Sequence, residues 1–117
     1  MSKTQINALS IIVNVSSPFS VLNGLCTGNA ELQVILGENN RGGFFVEDIE
    51  FMDVNDVIFS GNKIELSTYK ETKAWEEQIN KLFNCDIEEI MFEDAKKNID
   101  LSEVEYKLSF GPRILSR

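Results

Sequence analysis

VEDIEFMDVNDVIFSGNKIE, residues 46–65, contains the chain's clearest turn between two apolar runs, and the residues flanking that turn set the class of fold. "DVIF" and "KIEL" stand on either side of "SGNK". With Gly61 and Asn62 as a two-residue turn, Phe59 pairs with Ile64 and Val57 with Leu66, which puts four apolar side chains on one face and Ile58 and Glu65 on the other. An antiparallel hairpin is expected here. The same stretch holds six carboxylates, Glu47, Asp48, Glu50, Asp53, Asp56 and Glu65, against one base, Lys63.

Upstream, "INALSIIVNV" places Leu9, Ile11, Val13 and Val15 on one strand face and Ile6, Ala8 and Ile12 on the other, the pattern of a strand covered on both sides. Ser17-Pro18 reads as a helix start, a side-chain cap followed by a preset φ, and Gly24 keeps that helix short. "AELQVIL" alternates with Leu32, Val34 and Leu36 inward, "GENNRGG" is an exposed turn, and "GFFVEDIEFM" is a strand with both faces partly apolar.

Downstream, Thr68 and Glu71 have capping-box spacing and open a helix that Asn84 can end. Trp75, Ile79, Leu82 and Phe83 form its apolar stripe, and Lys73, Glu77 and Lys81 recur every fourth residue on its wet side. Residues 86–98 fit a helix through Ile87, Ile90, Met91 and Ala95, the preferred reading, although "IMF" bounded by acids also fits a short strand. "EVEYKLSF" alternates, with Val104, Tyr106, Leu108 and Phe110 inward, and "RILS" beyond Gly111-Pro112 supplies a last edge strand. The sum is a single globular domain over residues 1–117, α+β in class: a mainly antiparallel sheet of about five or six strands with one or two helices packed on one face.

Composition agrees with an ordered chain, at 43% apolar and 26% charged residues with eight phenylalanines. No run nears the roughly 18 apolar residues of a membrane span, and Asn7, Ser10 and Asn14 interrupt the N-terminal apolar stretch too often for a secretory signal. A cytoplasmic protein without membrane contact is expected. Cys26 and Cys85 match no metal or redox spacing and read as small buried apolar residues.

The net charge of −8 is unevenly spread. Residues 1–30 carry only Lys3, whereas 31–65 hold eight acids against two bases and 66–105 hold eleven against five. Such a body repels phosphate, so direct nucleic-acid binding is not expected, and it attracts a basic protein.

There is no histidine, and no nucleophile elbow or phosphate-binding glycine loop appears. Glu105 and Lys107, two apart on one strand face with Asp94 or Asp100 upstream, loosely match the acid–lysine set of metal-dependent nucleases. The charge balance favours a solvated pair instead. Asp53, Asn55 and Asp56 offer oxygens but lack the glycine bend and distal glutamate of a calcium loop, and they read as a turn bonding its own backbone. No catalytic residue, no metal and no cofactor is expected.

The acids of residues 46–56 fall on both strand parities, which argues against a convergent cage unless a bulge intervenes. They either rim a sheet edge, where like charge discourages association, or join Glu76, Glu77, Glu88, Glu89, Glu93 and Asp94 in a docking surface. The function expected is a non-enzymatic, protein-binding inhibitor that caps a basic effector: an immunity protein against a toxin nuclease, or a phage-encoded inhibitor of a host nuclease system. Glu47, Asp48, Glu50, Asp53 and Asp56 would meet the partner's charge, and Phe44, Phe45 or Tyr69 would anchor it. The alternative is a small-ligand or self-assembling module that forms a homo-oligomer through a sheet edge, with the nearly uncharged first thirty residues as interface.

Overall fold

The computed structural model describes residues 10–38, 40–109 and 113–115. Among them are strands β1 (Ser10–Val21), β2 (Cys26–Glu38), β3 (Phe44–Phe59), β4 (Asn62–Lys63) and β5 (Arg113–Leu115), and helices α1 (Tyr69–Phe83), α2 (Ile87–Lys97) and α3 (Leu101–Ser109). The sheet order is β4-β3-β2-β1-β5. The α+β class and the antiparallel sheet are as expected. The partition differs: three strands of 12, 13 and 16 residues carry the sheet, flanked by pieces of two and three, and the described residues form three helices, not one or two. The described residues fall into two compact units, one of 10–15, 32–52 and 100–115, the other of 16–31 and 53–99.

In the first unit, Val13 and Val15 of β1, Leu32, Val34 and Leu36 of β2, and Val104 of α3 are buried. The inward set of "AELQVIL" is thus as read. β5 pairs antiparallel with the start of β1, Ser10 against Leu115 and Ile12 against Arg113, which is the last edge strand expected of "RILS". Ile6, Ala8, Leu9 and Phe110 lie outside the described residues. β1 does not have two covered faces, because Asn14 is exposed where Val13 and Val15 are not.

The larger correction is α3, where alternation had suggested a strand. Asp100 decides it: its Oδ1 accepts the Ser102 N–H at 2.9 Å, and its carbonyl accepts those of Glu103 and Val104. Asp100 and Glu103 have the spacing of a helix start, and Glu103 pairs with Lys107 one turn on at 3.2 Å. Val104 and Leu108, four apart, serve a helix as well as a strand, whereas Tyr106 stands exposed. On a helix Glu105 and Lys107 point to different sides, so the nuclease-like pair does not form. Lys107 instead donates to the Asn14 carbonyl on β1.

In the second unit, Phe19, Val21, Cys26, Ala30, Val54 and Val57 of the strands are buried, as are Ile79 of α1 and Ile87, Met91 and Ala95 of α2. No helix starts at Ser17-Pro18. Ser17 is buried with its hydroxyl donating to the Ala95 carbonyl at 2.6 Å, and burial alternates through Val21, so β1 continues. The chain reverses at Leu22, Asn23 and Gly24, with φ of 54°, 56° and 84°, and Gly24 serves this turn. Pro18 can stand on β1 because its missing N–H faces an edge that no described strand adjoins there. The Pro18 carbonyl accepts from Asn98 Nδ2 and the Ser20 N–H donates to the Asp94 carboxylate, both at 2.9 Å. Two side chains at the end of α2 thereby stand in for a neighbouring strand. Asp94→Ala is expected to cost about 1 kcal/mol and to speed amide exchange at Ser20. Glu89→Ala, on the same helix, should leave that amide unchanged.

The hairpin is present with its turn one residue earlier than read. Ser60 and Gly61 take φ of 53° and 81°, Ile58 faces Lys63 and Phe59 faces Asn62. The cause lies at Asp56, whose φ of 53° bulges the strand so that Val54 and Val57, three apart, are both buried. With Val57 fixed inward, this register sets Ile64 across from it, and the Ile64 N–H bonds the Val57 carbonyl at 2.8 Å.

α1 has the capping box read from Thr68 and Glu71, and Asn84 ends it in the left-handed conformation. Its inner face is Thr72, Glu76 and Ile79, with Trp75 half-buried and Leu82 exposed, so the apolar stripe is narrower than expected. Phe59 meets the edges of Trp75 and Phe83 at 6.3 and 5.9 Å. Residues 86–98 give a helix, capped by Asp86 and by Asn80 Oδ1, which accepts the Ile87 N–H at 2.7 Å. Ile87, Met91 and Ala95 then repeat every fourth residue into the core.

Candidate functional site

Unit one contains the first part of β3, residues 44–52, and most of its side chains stand in water. Phe44, Phe45, Val46 and Met52 are 44, 47, 47 and 53% exposed, and Glu47, Asp48 and Glu50 are exposed among them with no base in the segment. The sheet order explains this. β3 lies outside β2, and the only described strand beyond it, β4, faces just Ile58 and Phe59. Along Phe44–Glu50 no described strand adjoins its outer side.

Strand alternation splits these side chains between the two faces. Phe45 and Glu47 lean over Gly37 of β2: a Cβ there would stand 2.6 Å from Phe45 Cζ and 3.2 Å from Glu47 Oε2. Phe44, Val46, Asp48 and Glu50 belong to the other face. Each face therefore carries apolar surface beside negative charge. Gly37 is what lets the Phe45 ring lie against the sheet. Gly37→Ala is expected to displace that ring for about 1 kcal/mol. In an NMR spectrum the new methyl group should then lack the upfield shift of a proton beneath an aromatic face.

The backbone of this strand uses its own carboxylate: the Ile49 N–H donates to Asp48 Oδ1 at 2.9 Å.

Of the residues singled out from sequence, the structure brings together Phe44, Phe45, Glu47, Asp48 and Glu50, all in this segment. Val46 and Met52 join them. Sequence reasoning does not single them out, and the available signal is the spread of acids over both parities, which leaves neither face fit for a core. Asp53, Asp56 and Tyr69 belong to the second unit. Asp53 bonds the Val54 N–H at 2.8 Å, as expected of a residue serving its own backbone. Asn55 and Ser16 both donate to Glu31 Oε2, at 2.6 and 3.0 Å, in a polar bridge across three strands. Asp53 and Asn55 thus have separate engagements, and among the described residues no three cysteine or carboxylate groups are arranged to hold a metal ion. Tyr69 is 78% exposed, with Lys73 Nζ 5.3 Å from its ring centre.

The helix acids divide likewise. Glu77, Glu89 and Glu93 are exposed, Asp94 is engaged with Ser20, and Glu76 is buried and no part of any outer surface. Lys73 does not pair with Glu77; it bridges Glu76 and Glu88. The two cysteines are free thiols, and burial pushes Cys26 up to about 11, which keeps it protonated and unreactive.

Among the described residues no helix is long and apolar enough to cross a membrane. Compared with known protein families, characterised proteins and solved structures, the chain has no match.

Proposed function

We propose that the protein is a small acidic binding module that captures a basic effector and inhibits it, in the manner of an immunity protein against a toxin nuclease or a phage-encoded inhibitor of a host nuclease system. One observation carries the reading: a β3 segment in which four large apolar side chains stand exposed among three carboxylates and no base. Exposed apolar surface at a strand edge is a liability unless something covers it. The carboxylates select a cationic cover and speed its encounter, and once seated they occupy ground the partner uses for phosphate. The role is non-enzymatic.

Capture from native lysate on immobilised protein tests this, at low and then at physiological salt. A basic protein held at low salt and weakened by added salt is expected, as charge screening requires. Recovery of acidic proteins, or of the protein itself alone, would overturn the reading.

Self-assembly through the same edge is the second reading, favoured by an outer side of β3 that no described strand adjoins along Phe44–Glu50. Charge opposes it. An antiparallel pair of copies centred on Ile49 sets Asp48 across from Glu50, and shifting the centre by one residue sets Asp48 against itself. Light scattering decides: a monomer removes this reading.

A further inference from the structure

We infer that the basic partner is taken up as an added β-strand, an extended segment bearing lysine or arginine that pairs along the outer side of β3 at Phe44–Glu50. The inference rests on the basic-partner reading above and supplies its mode of recognition.

Geometry excludes the simpler alternative of a surface laid flat on the sheet. Such a surface would reach Phe45 and Glu47 over Gly37 and leave Phe44, Val46, Asp48 and Glu50 in water on the opposite face, or the reverse. An occupant beside the strand meets both sets, because each residue of an added strand has a cross-strand neighbour on its own face. Exposure of apolar side chains on both faces at once is what such an occupant would use.

Charge then specifies the segment. Glu47 projects on one face and Asp48 and Glu50 on the other, without a base among residues 44–50, so the segment carries bases on both faces with apolar residues between. A second copy of β3 brings the wrong charge.

The probe is a short fluorescent peptide repeating Lys-Lys-Val-Val, which places lysine and valine on both faces of an extended strand. An analogue N-methylated at every residue keeps all charge and loses the donors of both edges. By anisotropy at low salt the parent is expected to bind, and the analogue to bind roughly tenfold more weakly or worse. Bound parent is also expected to slow hydrogen exchange within residues 44–50. Equal binding of the two peptides would overturn strand addition while leaving capture by charge intact. Failure of the parent to bind would overturn it too, and a salt-sensitive basic partner recovered from lysate would then show that the broader reading survives. Exchange protection at 44–50 that grows with protein concentration alone would assign the edge to a second copy and overturn the inference.

Discussion

A Lys73→Met variant is expected to lose about 1–3 kcal/mol of stability at neutral pH, with most of that loss disappearing as the solution is acidified toward about pH 4. Lys73 Nζ lies 3.2 Å from Glu76 Oε1 and 2.7 Å from Glu88 Oε2. The Glu76 side chain is only 7% exposed, and its Oε2 is buried without a hydrogen-bond partner. Burial pushes its carboxyl above the usual carboxylate range, Lys73 pulls it back, and the negative charges of Glu88 and Asp86 push it up again. Lys73 itself is held protonated well above the ordinary lysine range, chiefly by its bond to Glu88.

The two shifts act in different pH windows. Because the folded pKa of Glu76 is raised, its contribution to stability is fully present below the ordinary carboxylate value and is lost as pH rises through the folded value. The Lys73 contribution, also from a raised pKa, persists through neutrality and fades only in strong alkali. Removing the ammonium therefore strands a buried charge at neutral pH but strands nothing once Glu76 is protonated. The upper figure for a buried pair is discounted because the Lys73 side chain is 36% exposed and Glu88 is 43% exposed. Thermal unfolding of Lys73→Met, Glu76→Gln and the double variant at two pH values checks this. Glu76→Gln should recover much of the loss in the double variant. An equal loss at both pH values would mean that the lysine methylenes, and not the charge, hold α1 to its surroundings.

That buried carboxylate also shows why the sequence was legible in some places and not in others. α1 could be located from Thr68, Glu71 and Asn84 because capping is local chemistry, complete within four residues. Which face of α1 turns inward is decided by what packs against it. Glu76, spaced among charged neighbours, reads as wet until α2 brings Glu88 within reach of Lys73. The Asp56 bulge had the same effect on the hairpin, since a single left-handed residue reverses inward and outward for everything after it. In α3, Val104 and Leu108 satisfy both periods, and the deciding signal was again local, in Asp100 and the Glu103–Lys107 pair. The exposed strand was only half legible. Its acids could be counted and hint that neither face suits a core, but that Val46 and Met52 stand in water depends also on how little of the outer side of β3 the described strands adjoin, a property of sheet order.

Neutralising Glu47, Asp48 and Glu50 together, as Glu47→Gln, Asp48→Asn and Glu50→Gln, is expected to slow association with the basic partner roughly tenfold to a hundredfold at low salt. The dependence of the association rate on ionic strength should flatten in parallel, while dissociation changes less. The amide at position 48 keeps an oxygen able to accept the Ile49 N–H, so the strand retains its backbone cap and the thermal midpoint should hardly move. A matched variant, Glu65→Gln, Glu77→Gln and Glu89→Gln, removes the same three charges from exposed positions in the second unit. If the partner responds only to the overall field, the two variants slow association equally. If it is received along β3, the first slows it far more than the second, because the carboxylates nearest the docking path dominate the potential that an approaching cation feels within about 10 Å, one Debye length at moderate salt. An unchanged rate in the first variant would return these acids to a solvated rim whose work is to keep one sheet edge from meeting another.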